Sequence, residues 1–325
     1  MTDWPHVHTE MISRGRTLLL KRTAPWLFDA QETLPPPVGL TSRVQIGDFE
    51  EFGRGLLIDG TVQLTEVIDP IYTPALVFPA ALLAASRARW LIIGGGDGAT
   101  AREALRFRDT EEVRMVDISR TVIEQTQALI PSFWAGCQRD PRLRIDIADA
   151  MAALHDVADA ADRHGPAAGV DILIYDLSDP ANDLQGCNPF EASASDALYS
   201  EQAFRTAARG LRPGGLFVAQ MAELSVASYR AHLQRRQVLA RVFRHVHSYC
   251  AHIEPFGYSE SWILASNSAA PFHPTAHVDV AARLTALYGG DAAGLYSPAW
   301  HAHLFALPPP IAHHFDRSAR PRDDG

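Results

Sequence analysis

The 325-residue sequence predicts an α/β protein, a doubly wound and mostly parallel sheet preceded by a small β-rich domain. Three observations carry that expectation. Short apolar runs at 90–93, 113–116, 144–147, 170–175 and 215–219 alternate with helical patterns, as the strands of a sheet covered on both faces do. The first run ends in Gly94-Gly95-Gly96, a tight turn that opens a helix. Residues 1–75 differ in texture, with turn residues set between short apolar segments.

The chain divides on this reading into a β-strand and hairpin domain at 1–75 and an α/β domain at 76–325. Within the first, 54–64 places apolar segments on either side of Asp59-Gly60, a pair that tolerates positive φ and signals a two-residue hairpin. The proline-rich stretch 35–39 reads as loop. A helix is expected at 75–88, a strand at 90–93 and a helix at 100–107. The strand 113–116 ends at Asp117 and is followed by a helix at 120–129. The strand 144–147 ends near Asp149, and 170–175 ends at Asp176. A helix at 200–210 leads to the strand 215–219, and the late runs 246–250 and 262–265 suit an antiparallel edge hairpin.

Composition narrows the function classes. Hydrophobic residues make up 47% of the chain, enough for a core without staples. The formal charge is −9 and no Lys/Arg run stands out, which argues against a nucleic-acid partner and suits a cationic substrate. Cys137, Cys187 and Cys250 are far apart, so neither a disulfide framework nor a CxxC metal pair follows. His6, His8, His301, His303, His313 and His314 lack the Cys or Glu spacing of a zinc site, and surface or aromatic packing is expected of them. Phe133 and Trp134 read as packing residues, and 316–325 as a solvated tail. With no signal-peptide pattern and no run of ~18 apolar residues, a cytoplasmic location without membrane contact is expected.

The chemistry is in the placement of the acids. Asp97, Asp117, Asp149 and Asp176 each lie at or just past the carboxyl end of an expected strand. Those ends share one rim in an open α/β sheet, where ligands bind at the switch point. The loop Gly94-Gly95-Gly96-Asp97-Gly98-Ala99 also fits a dinucleotide fingerprint, but a carboxylate there suits a cationic or hydroxyl-bearing ligand better than a pyrophosphate. A helix-capping Asp97 is the simpler alternative. Asp117 is placed to accept two ribose hydroxyls, and Asp149, beside Ala150, to accept an adenine amino group. In Tyr175-Asp176-Leu177-Ser178-Asp179-Pro180, two acids follow a buried strand. A carboxylate there attracts an ammonium, takes its proton and holds the nitrogen in line with an electrophilic carbon. A structural turn is the alternative. Glu223, just after the strand ending at Gln220, is a further candidate acid.

Together these residues resemble the spermidine synthase family of aminopropyltransferases. The matches run through Gly53-Arg54, Leu57-Ile58-Asp59-Gly60, Gln63-Leu64-Thr65-Glu66, Tyr72, Gly94-Gly95-Gly96-Asp97-Gly98 and Ala101-Arg102-Glu103. They continue with Asp117-Ile118, Asp149-Ala150, Asp176 to Pro180, Leu198-Tyr199-Ser200, Leu211-Arg212-Pro213-Gly214-Gly215, Gln220 and His303 to Pro308, covering residues 40–310 or so. The segment 99–103, Asp176-Leu177, and Ala251-His252-Ile253 with Phe256 and Trp262 look closest to the thermospermine-synthase branch.

The resemblance implies a Rossmann-like, methyltransferase-type sheet. It implies aminopropyl transfer from decarboxylated S-adenosylmethionine to a polyamine acceptor, with methylthioadenosine leaving and neither metal nor tightly bound cofactor. Asp176 would deprotonate the attacking amine, helped by Tyr72, and Asp97 with Asp176 would hold the donor's ammonium. Asp117 would bind ribose and Asp149 adenine, while Gln63 and Asp179 would line the cleft. A homodimer is implied as well. The chain departs from the pattern at Tyr72-Thr73-Pro74, at Ser42 (with Gln45 the nearby alternative to the family's donor-contacting Gln), at Glu254-Pro255-Phe256, and in the longer segment 181–196 with Cys187 and Pro189. The competing readings are a methyl- or aminocarboxypropyl-transferase using ordinary S-adenosylmethionine, a non-catalytic nucleoside or polyamine binder, and, more distantly, a nicotinamide oxidoreductase.

Overall fold

The computed structural model describes residues 7–12, 16–178, 195–270, 272–276, 278–292 and 294–319. Two antiparallel units come first. Strands β1 (Val7–Ile12) and β2 (Arg16–Lys21) form a hairpin, and β3 (Phe28–Thr33), β4 (Thr41–Phe49), β5 (Gly53–Ile58) and β6 (Thr61–Thr65) form a four-stranded sheet in chain order. Asp59 and Gly60 make the β5–β6 turn with φ of 52° and 81°, as their sequence signal requires.

Helix α1 (Asp69–Leu83) then leads into the α/β body. It begins well before residue 75, where the sequence placed its start, and runs through Pro74 and Pro79. Two missing amide donors would weaken a solvated helix. Here nearly every residue from Tyr72 to Leu82 is buried, so packing outweighs propensity.

The body follows as β7 (Arg89–Gly94), α2 (Ala99–Leu105), β8 (Glu112–Asp117), α3 (Arg120–Leu129), α4 (Pro131–Trp134), β9 (Leu143–Ile147), α5 (Ala150–His164), β10 (Val170–Asp176), α6 (Glu201–Gly210), β11 (Leu211–Glu223), α7 (Arg230–Ala240), β12 (His245–Ile253) and β13 (Tyr258–Ser266). Helices α8 (Val280–Leu287), α9 (Pro298–Leu304) and α10 (Pro309–Ala319) complete it. The seven-stranded sheet has the order β12-β13-β11-β10-β7-β8-β9. The strands from β9 to β11 are parallel, and β13 lies antiparallel between β11 and β12. The expected edge hairpin is therefore present, with longer strands.

Strand order reverses at β7, whose neighbours are β8 on one side and β10 on the other. A crevice opens beyond the strand tips at such a point. β7 and β10 are buried along almost their whole length, with Trp90, Leu91, Ile92, Ile93, Ile172, Leu173, Ile174 and Tyr175 at 1% exposure or less, which keeps the two tips rigid. The four-stranded sheet is tied over this rim. Glu66 accepts from the Ser132 hydroxyl at 2.6 Å, Arg54 donates to the Leu129 carbonyl at 2.6 Å, and Glu32 accepts from the Ser119 hydroxyl.

Candidate active site

The glycines decide how closely the strand tips approach. Gly94 has φ of 80°, and a Cβ there would lie 2.0 Å from the carbonyl oxygen of Asp176. The next amide, Gly95, donates to that same carbonyl at 2.9 Å, so the β7 turn is fastened to the tip of β10. Gly98, at φ 91°, precedes α2, and a Cβ there would meet the Trp134 ring at 2.3 Å. Trp134 is fully buried and donates its indole N–H to the Thr126 hydroxyl at 3.1 Å, as a packing residue does.

Gly96 ties the loop to β8. Its amide donates to Asp117 Oδ2 at 2.9 Å, and a Cβ would stand 2.6 Å from that oxygen. Asp117 Oδ1 accepts from the Ser119 amide at 2.8 Å. Burial raises the Asp117 carboxyl above its ordinary value against these donors, and the Glu32 charge adds to the rise. Gly96→Ala should therefore displace the Asp117 carboxylate with little backbone strain. With Asp117 holding a donor's ribose, as the resemblance implies, the donor KM should rise by about tenfold or more with kcat within about threefold, as loss of one charged hydrogen bond predicts. An unchanged donor KM in steady-state assays would remove Asp117 from the site.

A second group of side chains is assembled around Asp176. Its Oδ2 accepts from the Thr100 hydroxyl at 2.6 Å, and its Oδ1 from the Tyr72 hydroxyl at 3.3 Å. Burial pushes the Asp176 carboxyl up to about 6, the two hydroxyls opposing the rise. The Tyr72 hydroxyl is raised well above its ordinary value, by burial first and by the Asp176 charge second, so it remains a neutral donor. Asp97 accepts from the Ala99 amide at 2.9 Å, the helix-start contact that the simpler reading gave it. Burial, then the neighbouring Asp176 charge, push Asp97 up to about 8. Two carboxyl groups thus resist ionising together.

Not every expected residue joins this group. Asp149 caps α5 through the Ala152 amide at 3.1 Å, and Ala150 is the first residue of that helix. Gln63 is the extra residue of a bulge between β5 and β6, and its amide donates to the Thr61 carbonyl at 3.1 Å. Among the described residues neither is joined by a hydrogen bond to Asp97, Asp117 or Asp176. Asp179, Pro180, Cys187 and Pro189 lie outside the described residues, as does most of 181–196. Ser42 donates to Asp59 at 3.0 Å, whereas Gln45 is buried and donates to Asp29 at 3.3 Å. In the departure after Tyr72, Thr73 donates to Asp69 at 2.7 Å and Pro74 continues α1.

Sequence reasoning missed Thr100 and Glu32. Thr100 follows the glycine loop directly, but its partner is 76 residues away, beyond any local pattern. The histidines behave as packing groups where they are described. His301 is buried, with Nδ1 2.8 Å from the Tyr296 hydroxyl, His303 stacks on Trp300 at 5.2 Å and His314 on Tyr229 at 4.3 Å. No group of His, Cys, Asp and Glu side chains suited to a metal occurs among the described residues.

Residues 70–275 match the spermine/spermidine synthase domain. A polyamine aminopropyltransferase of Aeropyrum pernix is 36% identical over 67% of this chain and 64% of its own length. One of Prochlorococcus marinus is 32% identical over 82% of this chain and 85% of its own. A spermidine synthase solved with the transition-state analogue AdoDATO superposes with a TM-score of 0.81 at 20% identity, over 96% of this chain and 95% of the other. The spermidine synthase of Thermotoga maritima gives 0.79 at 20% identity, over 96% and 94%.

Proposed function

The chain belongs to the spermine/spermidine synthase domain family, and on that footing we propose that its acidic cleft moves an aminopropyl group from decarboxylated S-adenosylmethionine to a polyamine acceptor. The observation that carries this reading is the Asp176 carboxylate, held between the Thr100 and Tyr72 hydroxyls beside a second raised acid, Asp97. The acceptor enters as an ammonium, drawn by these charges. Asp176 takes one of its protons, while Tyr72 and Thr100 hold the carboxylate in place. The freed lone pair attacks the donor carbon beside the sulfonium. The C–N bond forms as the C–S bond breaks, and the bonding pair goes to sulfur to give neutral methylthioadenosine. The sulfonium is already a good leaving group, so the protein's part is positioning and proton removal.

Asp97 and Asp176 together hold the ammonium of the donor's aminopropyl arm, and Asp117 holds the ribose. Asp149 and Ala150 serve the adenine, Gln63 lines the cleft, and the loop Gly94, Gly96 and Gly98 brings backbone against the nucleoside. Ordinary S-adenosylmethionine would set a carboxylate against the two acids. Arg102, whose charge reaches Asp97, is committed to Asp69 at 2.8 Å and to Glu103 at 2.9 Å and offers that carboxylate no partner. The β-rich domain expected over residues 1–75 covers the donor side, with α1 and its Tyr72 crossing that boundary into the catalytic domain, 76–325. The likeness of 99–103 and 251–253 to the thermospermine branch favours spermidine as an acceptor, with putrescine or a related amine as the alternative. The enzyme works as a cytoplasmic homodimer, which light scattering would report as twice the chain mass. No helix among the described residues is long and apolar enough to cross a membrane.

Calorimetry tests the donor. Decarboxylated S-adenosylmethionine should bind at least about a hundredfold more tightly than the ordinary form, as a repelled charge in a dry site predicts. Because Asp97 titrates near 8 before ligand binds, binding at pH 7 should also release about one proton, seen as a dependence of the heat on buffer ionisation enthalpy. Equal affinity for the two donors would reject the reading, and no proton release would show that Asp97 is already ionised before the donor binds. Mass spectrometry of reactions with putrescine, spermidine and spermine then names the product.

A further inference from the structure

We propose that the buried pair Asp69–Arg102 positions the base, by fixing the spacing of two helices that each bring one hydroxyl to Asp176. This rests on the transferase reading above and adds two positioning residues to it. Tyr72 belongs to α1 and Thr100 to α2. Their hydroxyls donate to different oxygens of the Asp176 carboxylate, at 3.3 and 2.6 Å. Neither hydroxyl comes from β10 itself, so how the carboxylate is held depends on where the two helices sit.

Arg102 joins the helices. Its Nη1 donates to Asp69 Oδ2 at 2.8 Å and its Nη2 to Asp69 Oδ1 at 2.9 Å, a two-pronged contact that fixes angle as well as distance. Asp69 lies one turn before Tyr72 on α1, and Arg102 two residues after Thr100 on α2. Thr73, where the chain departs from the family pattern, donates to Asp69 at 2.7 Å and keeps the carboxylate from turning away. Arg102 also donates to the Phe133 carbonyl of α4 at 3.0 Å and to Glu103 at 2.9 Å. Glu103 is shared with Arg106 at 2.8 Å and the Tyr288 hydroxyl at 2.6 Å, so Asp69 carries the link to α1. Both Asp69 and Arg102 are buried. Desolvation offsets most of the attraction in such a pair, and apolar side chains would hold the helices together as firmly. They would not set one angle between them, because apolar packing has no direction.

The titration of the base carries the signature. The titratable groups that act on this corner are Tyr72 from α1, Asp97 from the glycine loop, Asp117 from β8 and, through Tyr72, Glu260 from β13. The two hydroxyl bonds hold the Asp176 carboxyl down against its burial. Loosening the helices weakens those bonds and lets it rise. Removing the Asp69 charge acts the other way. A nearby negative charge opposes ionisation, as Asp69 does at Asp97, so its loss favours the carboxylate. Direction therefore separates positioning from field.

The test is Asp69→Asn, which keeps the shape and loses the charged fork, beside Arg102→Lys, which keeps the charge and loses the fork geometry. Asp69→Asn should lower kcat by roughly tenfold to a hundredfold at pH 7, with the methylthioadenosine Kd within about twofold. The acidic limb of its kcat/KM profile should move up by about one pH unit, and Arg102→Lys should fall between. In a Tyr72→Phe, Thr100→Val background, Asp69→Asn should cost less than about twofold more, because the hydroxyls it acts through are gone. A limb that stays or moves down, or a full further loss in that background, would overturn the proposal. Should Asp69→Asn fail to fold, the limb of Arg102→Lys decides. Carbon-13 carboxyl NMR of the ligand-free protein follows the Asp176 titration without turnover, and it should move by the same amount. A wild type that alkylates no amine defeats the transferase reading alone, whereas an unmoved titration defeats this one.

Discussion

Asp176→Asn is expected to lower kcat by roughly a thousandfold, the scale on which a positioned general base contributes. Asn has the same shape, and its carbonyl oxygen can still accept from Thr100, whose hydroxyl lies 2.6 Å from Oδ2 in the parent. The backbone bond from Gly95 to the 176 carbonyl does not depend on the side chain, so the tips of β7 and β10 stay joined. What disappears is the group proposed to take the ammonium's proton. Methylthioadenosine, which lacks the aminopropyl arm, should keep its Kd within about twofold, because its contacts lie toward Asp117. Single-turnover assays with that Kd measured alongside separate chemistry from binding. A variant that turns over at the parental rate would eliminate Asp176 as the base. In the wild type, kcat/KM should fall as pH drops through about 6, since the base must be ionised to act and burial has raised it to about there. The variant should lose that limb.

Asp97→Asn is expected to move stability and function in opposite directions. The Asp97 carboxyl sits near 8 in the folded protein because burial and Asp176 oppose its ionisation. For a raised acid the sign is clear. The folded state binds more protons than the unfolded one, so the contribution to stability is full below the unfolded value and is lost as pH rises through about 8. Asn removes that loss. Without ligand, the variant should melt about 5 °C above the wild type at pH 8.5, and the gap should shrink toward pH 5. With the decarboxylated donor, kcat/KM should fall by about a hundredfold, because one of the two carboxylates proposed to hold the ammonium is gone. Thermal melts across pH and donor kinetics check the two halves. A variant no more stable at high pH would show that Asp97 is not strained by its neighbours.

These effects belong to a site that was only partly legible. The acids at strand tips could be picked out because each follows a buried run whose length and β-branched content are local signals. Their order on the rim needed only the rule that parallel strands present their carboxyl ends together. Helix α1 was placed too late because Pro74 reads locally as a boundary, and only the buried face from Tyr72 to Leu82 overrides it. Asp149 shows the opposite limit. A strand-end acid also makes a good helix cap, and local pattern cannot tell the two uses apart.

From the amino-acid order alone came the alternation of strands and helices, the glycine turn after β7 and the list of acids at strand ends. Each is a property of a dozen neighbouring residues or fewer, where backbone preference and hydrophobic period act directly. Tertiary structure alone decided which of those acids face one another and what holds them. Tyr72 reaches Asp176 across 104 residues of sequence, and Gln220 reaches Glu260 across 40. Side-chain direction at such distances depends on how the sheet twists and on which helix lies over it, and the free energy that sets it is shared among the whole core. The raised carboxyls have the same origin, because desolvation belongs to a place in the fold and not to a residue type.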